Sequence, residues 1–395
     1  MPTLFFMPWT HVKAAGRAGP ISLVPYKRGI SPGSLGKTTQ KTLDAIIGNY
    51  ADRAFIQNTD STVPVREALI LQWPGDDERE SLLTDTEIQE RLKQMQLLTF
   101  AALSDRRFGT HWNYCNADGL IATAQHFSED NPAATAITTR RRDGSGLSYM
   151  AGGTGKPLFL RPMHVSDRYA LSMDGNFALA LLNVPDGPLR DQLLDCLTLF
   201  NKANTDANEV PPSAEIVFMR AALETLLGAS HLTADLKIKL LNLMSPHLGP
   251  VDWHDVHISP KTWQDRWNNE ERPFSAWLAD FCHWRNEGAH GKAAAKKFPD
   301  PVWSLWNHLL FISWLMSRIV KVLLADHGLY TLTQDDKDEL GNIELFFTYD
   351  IMALDGKDQL YWHTVLGHVQ HLQLGRALYE ATKTGSSIGE EDGES

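Results

Sequence analysis

The 395-residue chain predicts an α+β protein, a mixed α/β N-terminal part followed by an all-α helical bundle. Up to about position 184, short apolar or alternating runs are divided by turn residues, the mark of strands. From 187 onward the apolar residues recur at helical spacing in one segment after another. A content of 43% hydrophobic and 22% charged residues suits packed cores rather than disorder. These shifts place one domain at 1–186 and a second at 187–383. The tail at 384–395 is small, polar and acidic, a composition that does not fold.

In the first domain the strand candidates are 3–6, 21–24, 68–71, 119–124, 135–138 and 177–180. A helix is expected over 85–104, because Ile88, Leu92, Met95 and Leu98 share a stripe and Thr84 can cap it. In the second domain helices are expected over 188–202, 213–227, 234–244 and 273–286. A long helix should run from Asp300-Pro301 to about 325, with proline at the first helical position. A last pair is expected over 335–345 and 361–383.

The formal net charge of -11 argues against a surface built for non-specific nucleic-acid binding, while leaving room for a local basic site. The three cysteines, Cys115, Cys196 and Cys282, are far apart and odd in number, which fits a reducing compartment. The start MPTLFFMPWT has no basic residue ahead of a sustained apolar run, so a cytoplasmic location without a signal peptide is expected. The apolar stretch 303–324 contains Asn307, His308, Arg318 and Lys321, which marks it as a buried helix rather than a membrane span.

Chemistry concentrates at 281–297, FCHWRNEGAHGKAAAKK. Phe274, Trp277, Leu278, Phe281 and Cys282 form an apolar stripe, and Arg285 falls on the same stripe at about 100° per residue. An arginine there needs a partner, either a carboxylate or the phosphate of a ligand. Asn286 and His290 are four apart and share another face. Gly288 and Gly291 weaken the helix, and a kink or early end would swing His290 towards Arg285. Such a trio suits metal-free RNA cleavage. Histidine can take or give the proton, arginine can hold phosphate oxygens as charge grows, and asparagine can orient either. Lys292, Lys296 and Lys297 could hold the flanking RNA backbone. The inert alternative pairs Arg285 with Glu224 or Asp280 and leaves His290 to close the helix. The bare R-x4-H spacing also occurs at Arg106–His111, ahead of predicted strands, as a chance copy.

In this setting, positions of about 188–330 resemble the HEPN superfamily, through Arg285-Asn286-Glu287-Gly288-Ala289-His290 followed by a long helix. The earlier stretch MRAALETLL, 219–227, resembles the first core helix of the Apea-like branch. The resemblance implies a metal-independent endoribonuclease that leaves 2′,3′-cyclic phosphate and 5′-hydroxyl ends, needs no cofactor or metal, and works as a homodimer with facing motifs. It implies Arg285, Asn286 and His290 as catalytic residues, with Glu224 as a weaker counterpart. It further implies a toxin or anti-phage defence effector that answers to a phage-derived trigger or an antitoxin partner. The alternative is a non-catalytic dimerising module that binds protein or RNA.

Other candidates are weaker. The stretch AGGTGKP at 151–157 lacks the first glycine and the Ser or Thr of a phosphate-binding loop. His363 with His368 and His371 lack a nearby Cys or carboxylate to complete a metal set, while His254 and His257, in a loop beside Asp255, leave a structural metal open; a metal hydrolase using either group is the third reading. Arg140, Arg141 and Arg142 form a basic cluster at a strand end, a solvated turn on the favoured reading and an RNA-contacting edge of the first domain on the other.

Overall fold

The computed structural model describes residues 3–30, 39–52, 63–76, 83–108, 114–127, 135–140, 143, 146–151, 159–165, 168–249, 266–290, 301–348 and 366–367. It is an α+β protein with two compact units, Met1–Arg107 with Trp112–Val210, and Phe108–His111 with Pro211–Ser395.

The first unit holds a five-stranded antiparallel sheet of order β3-β4-β5-β1-β6. Its strands are β1 (Thr3–Met7), β3 (Gly16–Ala18), β4 (Ile21–Lys27), β5 (Glu67–Gln72) and β6 (Thr123–His126); β2 (Thr10–His11) lies outside it. In the register Phe5 faces Leu71 and Val24 faces Ile70. β1 and β5 are buried on both faces, which is why they read as unbroken apolar runs. Helix α1 (Gln40–Ile47) seals one face, packing Leu43, Ile46 and Ile47 against Phe6, Tyr26 and Ile70.

Helix α2 (Asp85–Ser104) starts at a capping box in which Thr84 and Glu87 satisfy each other's backbone amides. β7 (Thr135–Arg140) and β8 (Gly146–Ala151) form a hairpin, and β9 (Tyr169–Ala170) pairs in parallel with β2. Two strand expectations need correction. Positions 177–180 lie in helix α3 (Gly175–Leu182), capped by Asp174, whose carboxylate accepts the amides of Asn176 and Phe177. Its residues are buried on several sides, so the run carries no helical contrast. Of 119–124, the first residues form a 3-10 turn, Ala117–Leu120, and only then does β6 begin.

Helix α4 (Pro188–Ala203) opens with proline at its first turn. It packs on α2: Phe200 meets Phe100 edge-on at 5.1 Å and Thr198 Oγ1 donates to Gln96 Oε1 at 2.8 Å. That packing puts α4 in the first unit, so the units part after Val210, whereas the composition shift comes at 187.

Among its described residues the second unit has helices and no strand. It contains α5 (Pro212–Leu226), α6 (Thr233–Met244), α7 (Pro273–His290), α8 (Leu305–Asp326), α9 (Gln334–Gly341) and the short α10 (Leu345–Thr348). Its core is aromatic. Trp277 stacks on Phe274 at 5.5 Å and Phe281 at 5.3 Å, and meets Phe311 of α8 edge-on at 4.8 Å. α8 is long and apolar enough to cross a membrane, yet 72% of that window is buried inside the protein. Arg318 and Lys321 of α8 pair with Glu339 and Asp336 of α9, each at 2.6 Å.

The expected start of α8 at Pro301 is corrected to Leu305, with Ser304 as its cap. The amides of Val302 and Trp303 are drawn away by Asp280, so the chain stays unwound there. Beyond 348 only 366–367 are described, and they are helical; the rest of the expected helix at 361–383 and the tail fall outside the described residues.

Candidate active site

α7 carries the motif and packs against α5, α6 and α10. At its start the Glu344 carboxylate accepts from the Phe274 amide at 3.1 Å and from Arg272 Nε at 3.0 Å. A carboxylate at this end also meets the positive pole of the helix dipole. Burial outweighs both partners and pushes Glu344 up to about 7. From Phe274 to His283 the helix is buried on all sides, and Trp284, Arg285 and Asn286 are half-buried as it emerges.

Asp280, fully buried, anchors the emerging end. Its Oδ1 accepts from Trp267 Nε1 and the Val302 amide, each at 2.9 Å. Its Oδ2 accepts from the Trp303 amide at 3.1 Å and meets His308 Nε2 at 2.9 Å. Burial holds His308 below the usual histidine range, with Asp280 opposing. Trp284 Nε1 adds a bond to the Trp303 carbonyl at 2.9 Å. The segment leading into α8 is thereby tied to one face of α7 at two successive turns.

Around Asn286 two guanidinium groups share one oxygen. Asn286 Oδ1 accepts from Arg285 Nη1 at 3.2 Å and from Arg220 Nη1 at 3.4 Å. Arg220, on α5, is 1% exposed and pairs through Nε with Glu224 at 2.8 Å. Its fork also reaches the Cys282 carbonyl at 3.4 Å, the His231 carbonyl at 3.0 Å and Thr233 Oγ1 at 3.3 Å. Arg220 was missed as a site residue, although an Arg beside an apolar stripe with Glu four residues on is a legible helix pair. Burial pushes the neighbouring Cys282 thiol up, so it is inert as a nucleophile.

Both carboxylates considered for Arg285 are engaged elsewhere, Glu224 by Arg220 and Asp280 by Trp267, His308 and two amides. Among the described residues Arg285 has no carboxylate partner, and its guanidinium adds a positive charge beside Asn286. The helix does not end at Gly288; its backbone stays helical through His290. Positions 285 and 290 therefore lie about 140° apart around the axis, while 286 and 290 share a row one turn apart. The His290 side chain and Lys292, Lys296 and Lys297 lie outside the described residues.

The second R-x4-H copy serves a structural end. Arg106 is buried and donates to Asn116 Oδ1 at 2.7 Å and to Asn204 Oδ1, closing part of the first unit. Among the described residues no three His, Cys, Asp or Glu side chains gather as a metal set. His254, His257, His363, His368, His371 and the 152–157 loop fall outside them, as do Arg141 and Arg142. Comparison with protein-family models, with curated proteins and with solved structures yields no match.

Proposed function

We propose that the second unit is a metal-independent endoribonuclease of HEPN type. The observation that carries it is the Arg285–Asn286 pair, a guanidinium with no carboxylate partner among the described residues, held by an amide that a second, neutralised arginine also grips. A positive group so held is suited to an anion arriving from solution, and RNA phosphate is the anion that a neighbouring histidine can act on.

A base takes the proton of the ribose 2′-hydroxyl, and O2′ attacks phosphorus. The P–O5′ bond breaks and O5′ receives a proton, leaving a 2′,3′-cyclic phosphate and a 5′-hydroxyl. His290 does the proton work, Arg285 offsets the charge on the non-bridging oxygens, and Asn286 positions. A homodimer with facing motifs supplies two histidines, one to take the 2′ proton and one to serve O5′. The first unit senses a phage-derived trigger, binds an antitoxin partner or selects the RNA, and the whole acts in the cytoplasm as a defence or toxin effector.

The test is cleavage of mixed RNAs in EDTA by wild type, Arg285→Ala and His290→Ala, with analysis of the product ends. Loss of a general acid or base lowers the rate by about 10²–10⁴. Cyclic phosphates from wild type alone support the assignment. Equal cleavage by all three proteins removes it, and loss of cleavage with chelator points to a metal hydrolase instead.

A further inference from the structure

A cleft of about 450 Å³ opens beside Asn286, within the second unit and between α6 and α7. We propose that it receives one unpaired nucleobase of single-stranded RNA, next to the phosphate held at Arg285. The placement of that phosphate rests on the nuclease proposal; recognition of the base does not.

Four features point to this occupant. The volume falls within the range of small-molecule sites, about 300–1,000 Å³. One wall is apolar and already exposed, with Ile238 60% accessible and Leu241 beside it. Trp267 lines the cleft as a half-buried aromatic whose ring is fixed by its bond to Asp280. A fixed aromatic in the same cleft as an aliphatic wall suits a flat ring, and stacking of a base on an aromatic contributes about 1–3 kcal/mol. The polar lining then offers groups for a base edge: the Glu270 carboxylate, paired with Lys237, the His283 imidazole and the Asn286 amide. Both arginines use Asn286 Oδ1, which turns its Nδ2 donor to other acceptors.

The helix row supplies the continuity. Ala279, His283 and Asn286 line the cleft at spacings of four and three, and position 290 follows four further along the backbone. A base in the cleft thus sits on the row that leads to the motif, with the Arg285 guanidinium hydrogen-bonded to the row's last lining residue.

The experiment uses the full chain and 5′-labelled 2′-O-methyl tetranucleotides of A, C, G and U, which lack the attacking hydroxyl and stay intact. Binding is followed by fluorescence anisotropy for wild type, Ala234→Trp and Ile238→Glu, two exposed positions on the α6 wall. The expected result is at least tenfold weaker binding by both variants, with at least one tetranucleotide bound best by wild type. In cleavage assays the same variants should raise KM and leave kcat at the wild-type value. Binding by both variants equal to wild type, or no binding of any tetranucleotide by wild type, overturns the cleft. His290→Ala keeps the two proposals apart. If it abolishes cleavage while Ala234→Trp binds normally, the cleft alone fails. If cleavage ignores His290 while Ala234→Trp binds weakly, the catalytic assignment alone fails.

Discussion

Replacing Arg220 with methionine should destabilise the second unit by about 3 kcal/mol. The side chain is 1% exposed, and its two shortest bonds run to Glu224 at 2.8 Å and to the His231 carbonyl at 3.0 Å. Hydrogen bonds to charged groups contribute about 1.5–3 kcal/mol each. The three longer contacts, at 3.3–3.4 Å, add less. Methionine fills much of the same volume and relieves the desolvation of a buried cation, which offsets part of the loss. The penalty that remains falls on Glu224, 15% exposed and left without its counter-charge.

The assay is urea unfolding at pH 7. The chain has two compact units, and Arg220 lies in the second, so the transition of the first serves as an internal control. A loss of about 3 kcal/mol is roughly a hundredfold in that unit's unfolding constant. Arg220→Lys should fall between, because it keeps the charge near Glu224 but loses the fork that reaches four further backbone and side-chain oxygens at once. A loss below about 1 kcal/mol with unchanged m refutes the idea that this guanidinium holds α5, α6 and α7 together.

Two further predictions concern the ends of α7. Asp280→Asn should cost about 3–5 kcal/mol, because one amide oxygen cannot replace two oxygens that engage four groups, and an NH2 would face the Val302 or Trp303 amide. Hydrogen exchange at Val302 and Trp303 should accelerate with it; unchanged exchange would show that Asp280 does not hold that segment. For Glu344, the raised folded pKa means the folded state binds more protons between about pH 4.5 and 7. Its favourable contribution is therefore full below about 4.5 and is lost as pH rises through about 7, about 3 kcal/mol in all. Stability measured against pH for Glu344→Gln should lack that decline relative to wild type, and parallel curves would sink the assignment.

The parts of the fold that were legible are those where one local signal settles the structure. β1 and β5 are apolar runs of strand length, and α2 combines a periodic stripe with a capping box at Thr84. The misread parts depend on distant partners. GNFALALL forms α3 with Asp174 as its cap, yet its unbroken apolar run FALALL, 177–182, has no polar face to display helical period. Pro301 looks like a helix start, but Asp280, twenty-one residues earlier, takes the next two amides. At the site, Arg285 and Asn286 stand side by side as the motif suggests, while the link to Arg220 spans 66 residues and no spacing rule reveals it.

The choice between a nuclease and a module that only binds comes down to what Arg285 is for. If it were a structural tie, a carboxylate should hold it, as Glu224 holds Arg220 and Glu339 holds Arg318 within the same unit. Glu224 and Asp280, the two carboxylates weighed for that role, are committed elsewhere, and its bond to Asn286 is to a neutral amide. Loss of one such bond, 3.2 Å long and from a half-buried side chain, costs about 1.5 kcal/mol, the low end for a charged donor. Arg285→Ala should therefore destabilise the second unit by no more than that. Cleavage should fall by about 10²–10³, the usual effect of removing one charge-stabilising donor. A variant that unfolds by several kcal/mol with no separate catalytic defect would make Arg285 a structural residue after all. A variant that stays folded and keeps cleaving would leave the anion at this site without a chemical role.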